Sequence, residues 1–145
     1  MEGVLADRKQ RAGGLKRMAA ASFGGVILSL LARPADAMDF CSGPVRVTCV
    51  VDGDTVWIEG EKIRLADIDA PEPGGACEAE RVTAARAAGR LARLLREGGY
   101  VIERSGRDTY GRTLATISIG GRSVGAILVA EGLARPWSGR RERWC

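Results

Sequence analysis

The chain has 145 residues, 46% of them hydrophobic, which is enough to bury the core of one domain. It carries 22 Lys+Arg against 18 Asp+Glu, and it has no histidine. That absence excludes a Ser-His-Asp triad, a histidine general base and histidine-held zinc, so acid–base work falls to Asp, Glu, Tyr, Lys or Cys.

Residues 1–37 read as an export leader. Arg8, Lys9, Arg11, Lys16 and Arg17 precede an apolar run over 18–32, and small residues stand at the −3 and −1 positions of a cut after Ala37. The apolar run is about 15 residues, short of the roughly 20 that span a bilayer, so cleavage is expected over an uncleaved anchor. Secretion or a periplasmic location follows, with membrane attachment only if the leader stays. Taking away the leader's six cations and three acids leaves 16 basic and 15 acidic residues in 38–145. The sequence pI of 9.2 therefore overstates the basicity of the remaining domain. Any attraction for nucleic acid must come from where the arginines sit. All four cysteines, Cys41, Cys49, Cys77 and Cys145, lie in 38–145, and an even count in an exported chain suggests two disulfides. Three connectivities are open. Cys41–Cys49 and Cys77–Cys145 is the expected one, with a buried free thiol as the alternative for Cys49.

In chain order, β-branched residues predict a strand over 45–51. Strands over 55–58 and 62–68 flank Glu59-Gly60-Glu61 as a hairpin. The Pro71-Glu72-Pro73-Gly74-Gly75 run is a loop. A helix is predicted over 78–97, with acids at its start and Val82, Ala85, Ala88, Leu91, Ala92 and Leu95 on one face, ended by Gly98-Gly99. Strands over 100–104 and 113–119 follow, the latter closed by Gly120-Gly121. Ser123 then caps a short helix over 124–131, ended by Gly132. The tail from Arg135 has no periodicity. Three strands, a helix, two strands and a helix is the order of a five-stranded OB-fold barrel, an α+β arrangement that binds oligonucleotides on one face. The long helix is expected between strands 3 and 4, and the short helix at the C-terminal side.

Acids and arginines cluster in three runs. These are Val51-Asp52-Gly53-Asp54-Thr55, Arg64 through Asp69-Ala70-Pro71-Glu72, and Asp108-Thr109-Tyr110-Gly111-Arg112. Carboxylates gather a hard cation and arginines clamp phosphate. Asp54 and Asp69 are expected on neighbouring strand ends, where they can share a divalent ion. The bland alternative is salt bridges to Arg64 and Arg112, and Asp52-Gly53 can be turn chemistry alone. Glu72 stands between two prolines that stiffen it, as a base for water would need. Arg64 alternates with Ile63 and Leu65, so it faces a surface or cleft if those two are core.

In order and spacing, these runs together with Leu128-Val129-Ala130-Glu131-Gly132-Leu133-Ala134 resemble the staphylococcal nuclease (thermonuclease-like) family, over about residues 47–134. The resemblance implies an OB-type barrel and a Ca2+-dependent endonuclease acting on DNA and RNA to leave 3′-phosphates. It implies Asp54, Asp69 and the carbonyl of Ala70 as calcium ligands. It implies Arg64, Glu72 and Arg112 as the catalytic trio, and Tyr110 as a contact to substrate phosphate. Asp52 and Asp67 are left as structural or supporting acids. A monomer with a single-stranded nucleic-acid substrate, and no stable protein partner, is expected. The chain departs from the family at the lysine-rich loop after the glutamate, here Pro73-Gly74-Gly75-Ala76-Cys77. It also lacks the base-packing tyrosine pair, for which Trp137 is the candidate substitute. A catalytically silent OB module binding nucleic acid or protein is the competing reading, yet none of the acid or arginine positions is lost.

Overall fold

A computed structural model of the chain describes residues 38–145. It contains strands β1 (Cys49–Val50), β2 (Thr55–Ile58), β3 (Glu61–Leu65) and β4 (Ile68–Asp69), then helix α1 (Glu78–Arg96). Strands β5 (Tyr100–Arg107), β6 (Thr113–Ile119) and β7 (Arg122–Ser123), helix α2 (Val124–Ala130) and strand β8 (Arg135–Pro136) complete it. The main sheet runs β1-β2-β3-β6-β5 with β7 added on β6, and β4 pairs with β8 apart from it. Among the pairings of named strands only β3–β6 is parallel, and an isolated parallel bridge joins Phe40 to Val50.

The hairpin forms where expected, with Thr55 opposite Arg64 and Ile58 opposite Glu61. Its turn narrows to Glu59-Gly60, with φ of 51° and 82°. Two consecutive left-handed residues match the right-handed twist of the flanking strands, and glycine at the second removes half the steric cost. The strand expected over 45–51 shrinks to two residues: Val45 and Val47 are exposed, and the Val47 carbonyl accepts from the Gly60 N–H of the hairpin turn at 2.8 Å. The strand expected over 62–68 breaks in two. The Ala66 N–H donates to the Ala115 carbonyl at 2.9 Å, after which the chain leaves β6 and Ile68–Asp69 pairs with the tail. Beyond 104, β5 continues to Arg107 across a bulge between Arg104 and Gly106.

Helix α1 has the expected span but a rotated face. Val82 and Ala85 are exposed, while Ala84, Ala87, Ala88, Leu91, Ala92, Leu94 and Leu95 are buried. Alanines on that stripe let the helix approach the sheet closely, and the leucines fill the core with Val50, Val56, Ile63, Leu65 and Ile117. Gly98 and Gly99, at φ of 71° and 68°, end the helix in the left-handed region. Ser123 caps α2 as expected, its Oγ accepting from the Ala126 N–H at 3.1 Å.

Mixed sheet and two helices fit an OB-fold-like α+β architecture. The five-stranded closed barrel is corrected in two respects. Among the described residues there are eight strands, so the long helix follows the fourth strand rather than the third, because the third expected strand splits. Among the described residues no pairing joins β5 back to β1, so the sheet stays open. The leader expected at 1–37 lies outside the described residues. Among these, no helix is long and apolar enough to cross a membrane.

Candidate active site

Both expected disulfides form: Cys41–Cys49 ties the N-terminal arm to β1, and Cys77–Cys145 ties the tail to the start of α1. The second bond brings the aperiodic tail against the Glu72 loop.

Arg64 leaves β3 between Ile63 and Leu65, both fully buried, and is itself only 7% exposed. It is held rather than solvated. Its guanidinium donates to the Leu65 carbonyl at 2.9 Å and the Ile68 carbonyl at 3.4 Å, lies 3.4 Å from Asp54 Oδ2, and sits 4.9 Å from the Trp137 ring centroid. The bland salt bridge to Asp54 is thus real. Arg112 does not pair with the expected acids. Its Nε donates to Asp108 Oδ2 at 2.6 Å, and its backbone N–H to Asp108 Oδ1 at 2.9 Å. Burial raises the Asp108 carboxyl, but the hydrogen bonds and charge of Arg112 outweigh it and hold the group below its ordinary value. Asp108 also accepts from the Tyr110 N–H, so one carboxylate shapes the turn that carries both Tyr110 and Arg112. Tyr110 is widely exposed beside Arg112, 5.6 Å from its guanidinium carbon to the ring centroid.

Asp54 precedes β2 and Asp69 ends β4. Both are buried, at 4% and 3% exposure, and Asp54 Oδ2 and Asp69 Oδ2 accept no hydrogen bond among the described residues. Buried carboxylate oxygens without donors are costly unless a cation meets them. Asp54 Oδ2 is met at ion-pair range by Arg64 at 3.4 Å and Arg141 at 3.8 Å, and Asp69 Oδ2 by no hydrogen-bond donor among the described residues. Paired carboxylate oxygens are the donor chemistry that Ca2+ or Mg2+ takes. Asp54 Oδ1 accepts from Thr55 Oγ1 at 2.7 Å, and the Asp54 N–H donates to Asp52 Oδ1 at 3.1 Å. Burial, followed by the Asp54 charge, pushes the Asp52 carboxyl up. Ala70 is buried beside them, and Asp67 turns away to accept from Ser123 Oγ at the start of α2.

Glu72 is partly exposed. Its loop is fixed by Glu80 of α1, whose carboxylate accepts from the Glu72 N–H at 3.4 Å and the Ala76 N–H at 2.8 Å. Arg141 binds three acids at once. Its Nε is 3.1 Å from Asp69 Oδ1, its Nη2 is 3.8 Å from Asp54 Oδ2, and its Nη1 contacts Glu72 Oε1. Arg64, Glu72, Tyr110, Arg112, Trp137 and Arg141 line one cleft of about 780 Å³, with Lys62 and Asp108 on its walls.

Three positions went unassigned in the sequence. Asp108 stood in the quoted run without a role, although its i,i+4 spacing to Arg112 was visible. Glu80 was legible only as helix-start acid. Arg141 sits in a tail without periodicity, and its one signal was Cys145, four residues on, expected to bond beside the Glu72 loop.

An OB-fold-like α+β scaffold carries an arginine-lined cleft next to buried carboxylates. The chain belongs to the staphylococcal nuclease homologue family, whose pattern matches residues 62–143. That span contains every cleft residue named above and Asp69, but not Asp54. The chain is 35% identical over 121 residues to the micrococcal nuclease of Shigella flexneri, covering 74% of this chain and 64% of that protein. It is 35% identical over 91 residues to the succinoglycan biosynthesis protein ExoI of Rhizobium meliloti (strain 1021), covering 59% of this chain and 48% of that one. The chain therefore spans about half to under two thirds of the length of these relatives.

Proposed function

We propose that this protein is an exported calcium-dependent phosphodiesterase that cleaves single-stranded DNA and RNA and leaves 3′-phosphates. The observation that carries the reading is the convergence of Arg64, Glu72, Tyr110 and Arg112 on one cleft, with the buried carboxylates of Asp54 and Asp69 at their side.

Arg64 and Arg112 grip the scissile phosphate and neutralise the charge that builds on its oxygens as water attacks. Arg64 is preorganised for this by two carbonyls and the Trp137 face, and Arg112 by Asp108. Both arginines therefore need little reorganisation. Glu72 orients the attacking water and takes its proton as the new P–O bond forms. The bond from phosphorus to the 5′ oxygen breaks in the same displacement, and the departing 5′ oxygen takes a proton from solvent. Tyr110 contacts a neighbouring phosphate, and Trp137 offers a face to a base in place of the missing tyrosines. Calcium held by Asp54, Asp69 and the Ala70 carbonyl would supply a fixed positive charge beside the phosphate.

Export is supported by the leader pattern and by two disulfides, which persist in oxidising compartments. The test is cleavage of single-stranded DNA and RNA by the purified protein with calcium, then with a chelator. Cleavage that needs calcium and stops with the chelator is expected, and no calcium-dependent cleavage of either polymer sinks the proposal. Glu72→Ala should cut turnover by about 10²–10⁴-fold, the range of a positioned general base, with an unchanged fold by circular dichroism. Equal turnover in that variant removes Glu72 from the role.

A further inference from the structure

Arg141 does something that neither arginine of the proposed trio does: it spreads one guanidinium over Asp54, Asp69 and Glu72. Those are the two acids offered to the cation and the acid offered to water. Each face of the fork meets a different carboxylate, an arrangement that a planar, permanently charged group can make and a lysine cannot. Asp69 Oδ1 and Asp54 Oδ2 are among the oxygens a divalent ion would also need, and two cations so close repel each other.

The segment that carries Arg141 is fastened on both sides. On one side β8 pairs with β4, and the Trp137 N–H donates to the Asp67 carbonyl at 2.9 Å. On the other, Cys145 is bonded to Cys77, Arg135 donates to the Arg143 carbonyl at 2.9 Å, and its guanidinium lies 3.9 Å from the Trp144 ring centroid. A charge tethered this way acts at high effective concentration, because leaving the acids gains it little freedom.

We propose that Arg141 is an intramolecular competitor of the divalent cation, and that it sets how much calcium the site needs to fill. This rests on the calcium reading above and adds to it the residue that tunes the affinity.

The test is calorimetric titration of the full chain with calcium chloride, for the wild type, Arg141→Gln and Arg141→Lys. Arg141 is 44% exposed at its side chain, so neither variant removes core packing. In Arg141→Gln the calcium Kd should fall about tenfold, which corresponds to about 1.4 kcal/mol. Arg141→Lys keeps the charge without the fork and should lie between the two. A calcium Kd that is unchanged or weaker in Arg141→Gln overturns the inference while leaving the calcium site standing. No calcium binding in any of the three proteins overturns the calcium reading itself, and this inference with it.

Discussion

A methyl group added at position 53 would lie 2.8 Å from the Cβ of Ala87 and 2.9 Å from that of Ala70. Gly53 is therefore more than turn chemistry. It lets the Asp52–Asp54 loop touch α1, and so sets where Asp54 points. Neither neighbour can rotate away, because an alanine Cβ is fixed by its backbone. Gly53→Ala should destabilise the protein by about 1–3 kcal/mol, the cost of overpacking, read as a lower denaturant midpoint at constant slope. An unchanged midpoint would mean that the loop and helix separate freely. Similar reasoning applies to Gly125, where a Cβ would run 2.5 Å from an Asp67 oxygen. Asp67 thus braces α2 and is not aimed at the cleft. At this scale the residue types were legible in the sequence, but their partners were not. Arg64 was readable as facing away from Ile63 and Leu65. That it would be buried was not. The two carbonyls it binds are local, those of Leu65 and Ile68, but they converge on it only because the chain turns between β3 and β4, and the Trp137 indole comes from a segment distant in sequence.

Among elements, the joint between β3, β5 and β6 depends on one exposed-looking acid. Glu61 Oε1 accepts from Thr113 Oγ1 at 2.7 Å, and Glu61 Oε2 from Arg104 Nη2 at 2.6 Å. It is thereby linked to β6 and to β5 at the end where the parallel pairing begins. The Arg104 and Thr113 hydrogen bonds lower the Glu61 carboxyl from 4.5 to about 2. The folded protein thus binds fewer protons than the unfolded chain between those values. The contribution is fully present above pH 4.5 and is lost as pH falls towards 2. Glu61→Gln should flatten the dependence of stability on pH in that window, measured by urea melts at stepped pH. Equal slopes in wild type and variant would refute the link. The helix register teaches the same lesson from the other side. A 3.6-residue periodicity located α1, but an alanine-rich helix offers more than one acceptable apolar face. The packed face takes Ala84 and Ala87 in place of Val82 and Ala85, with Ala87 set closely against Gly53.

For the molecule as a whole, the tail is held by strand pairing and by one covalent bond between residues 68 apart in sequence. Opening that loop in the unfolded chain restores much entropy. Cys77→Ser with Cys145→Ser should cost about 2–5 kcal/mol, seen as a lower melting temperature. If the melting temperature does not move, the bond is incidental to the fold. The exported location proposed for the chain fits such a staple, because a domain of about 108 residues has a modest core.

The sequence by itself determined most of the local structure and the chemistry at stake. Hairpin, both helices, β6, an even cysteine count and the absence of histidine can be read from it, because periodicity, turn glycines and residue type act over a few positions. Which cysteines pair is decided by the fold. Tertiary structure alone decided the split of the third expected strand, the open sheet, the β4–β8 pair and the convergence on the cleft. It also decided that Arg112 takes Asp108 and that Arg141 takes three acids. Those outcomes rest on charges and surfaces that meet only when distant segments pack, and a short-range pattern carries no record of them.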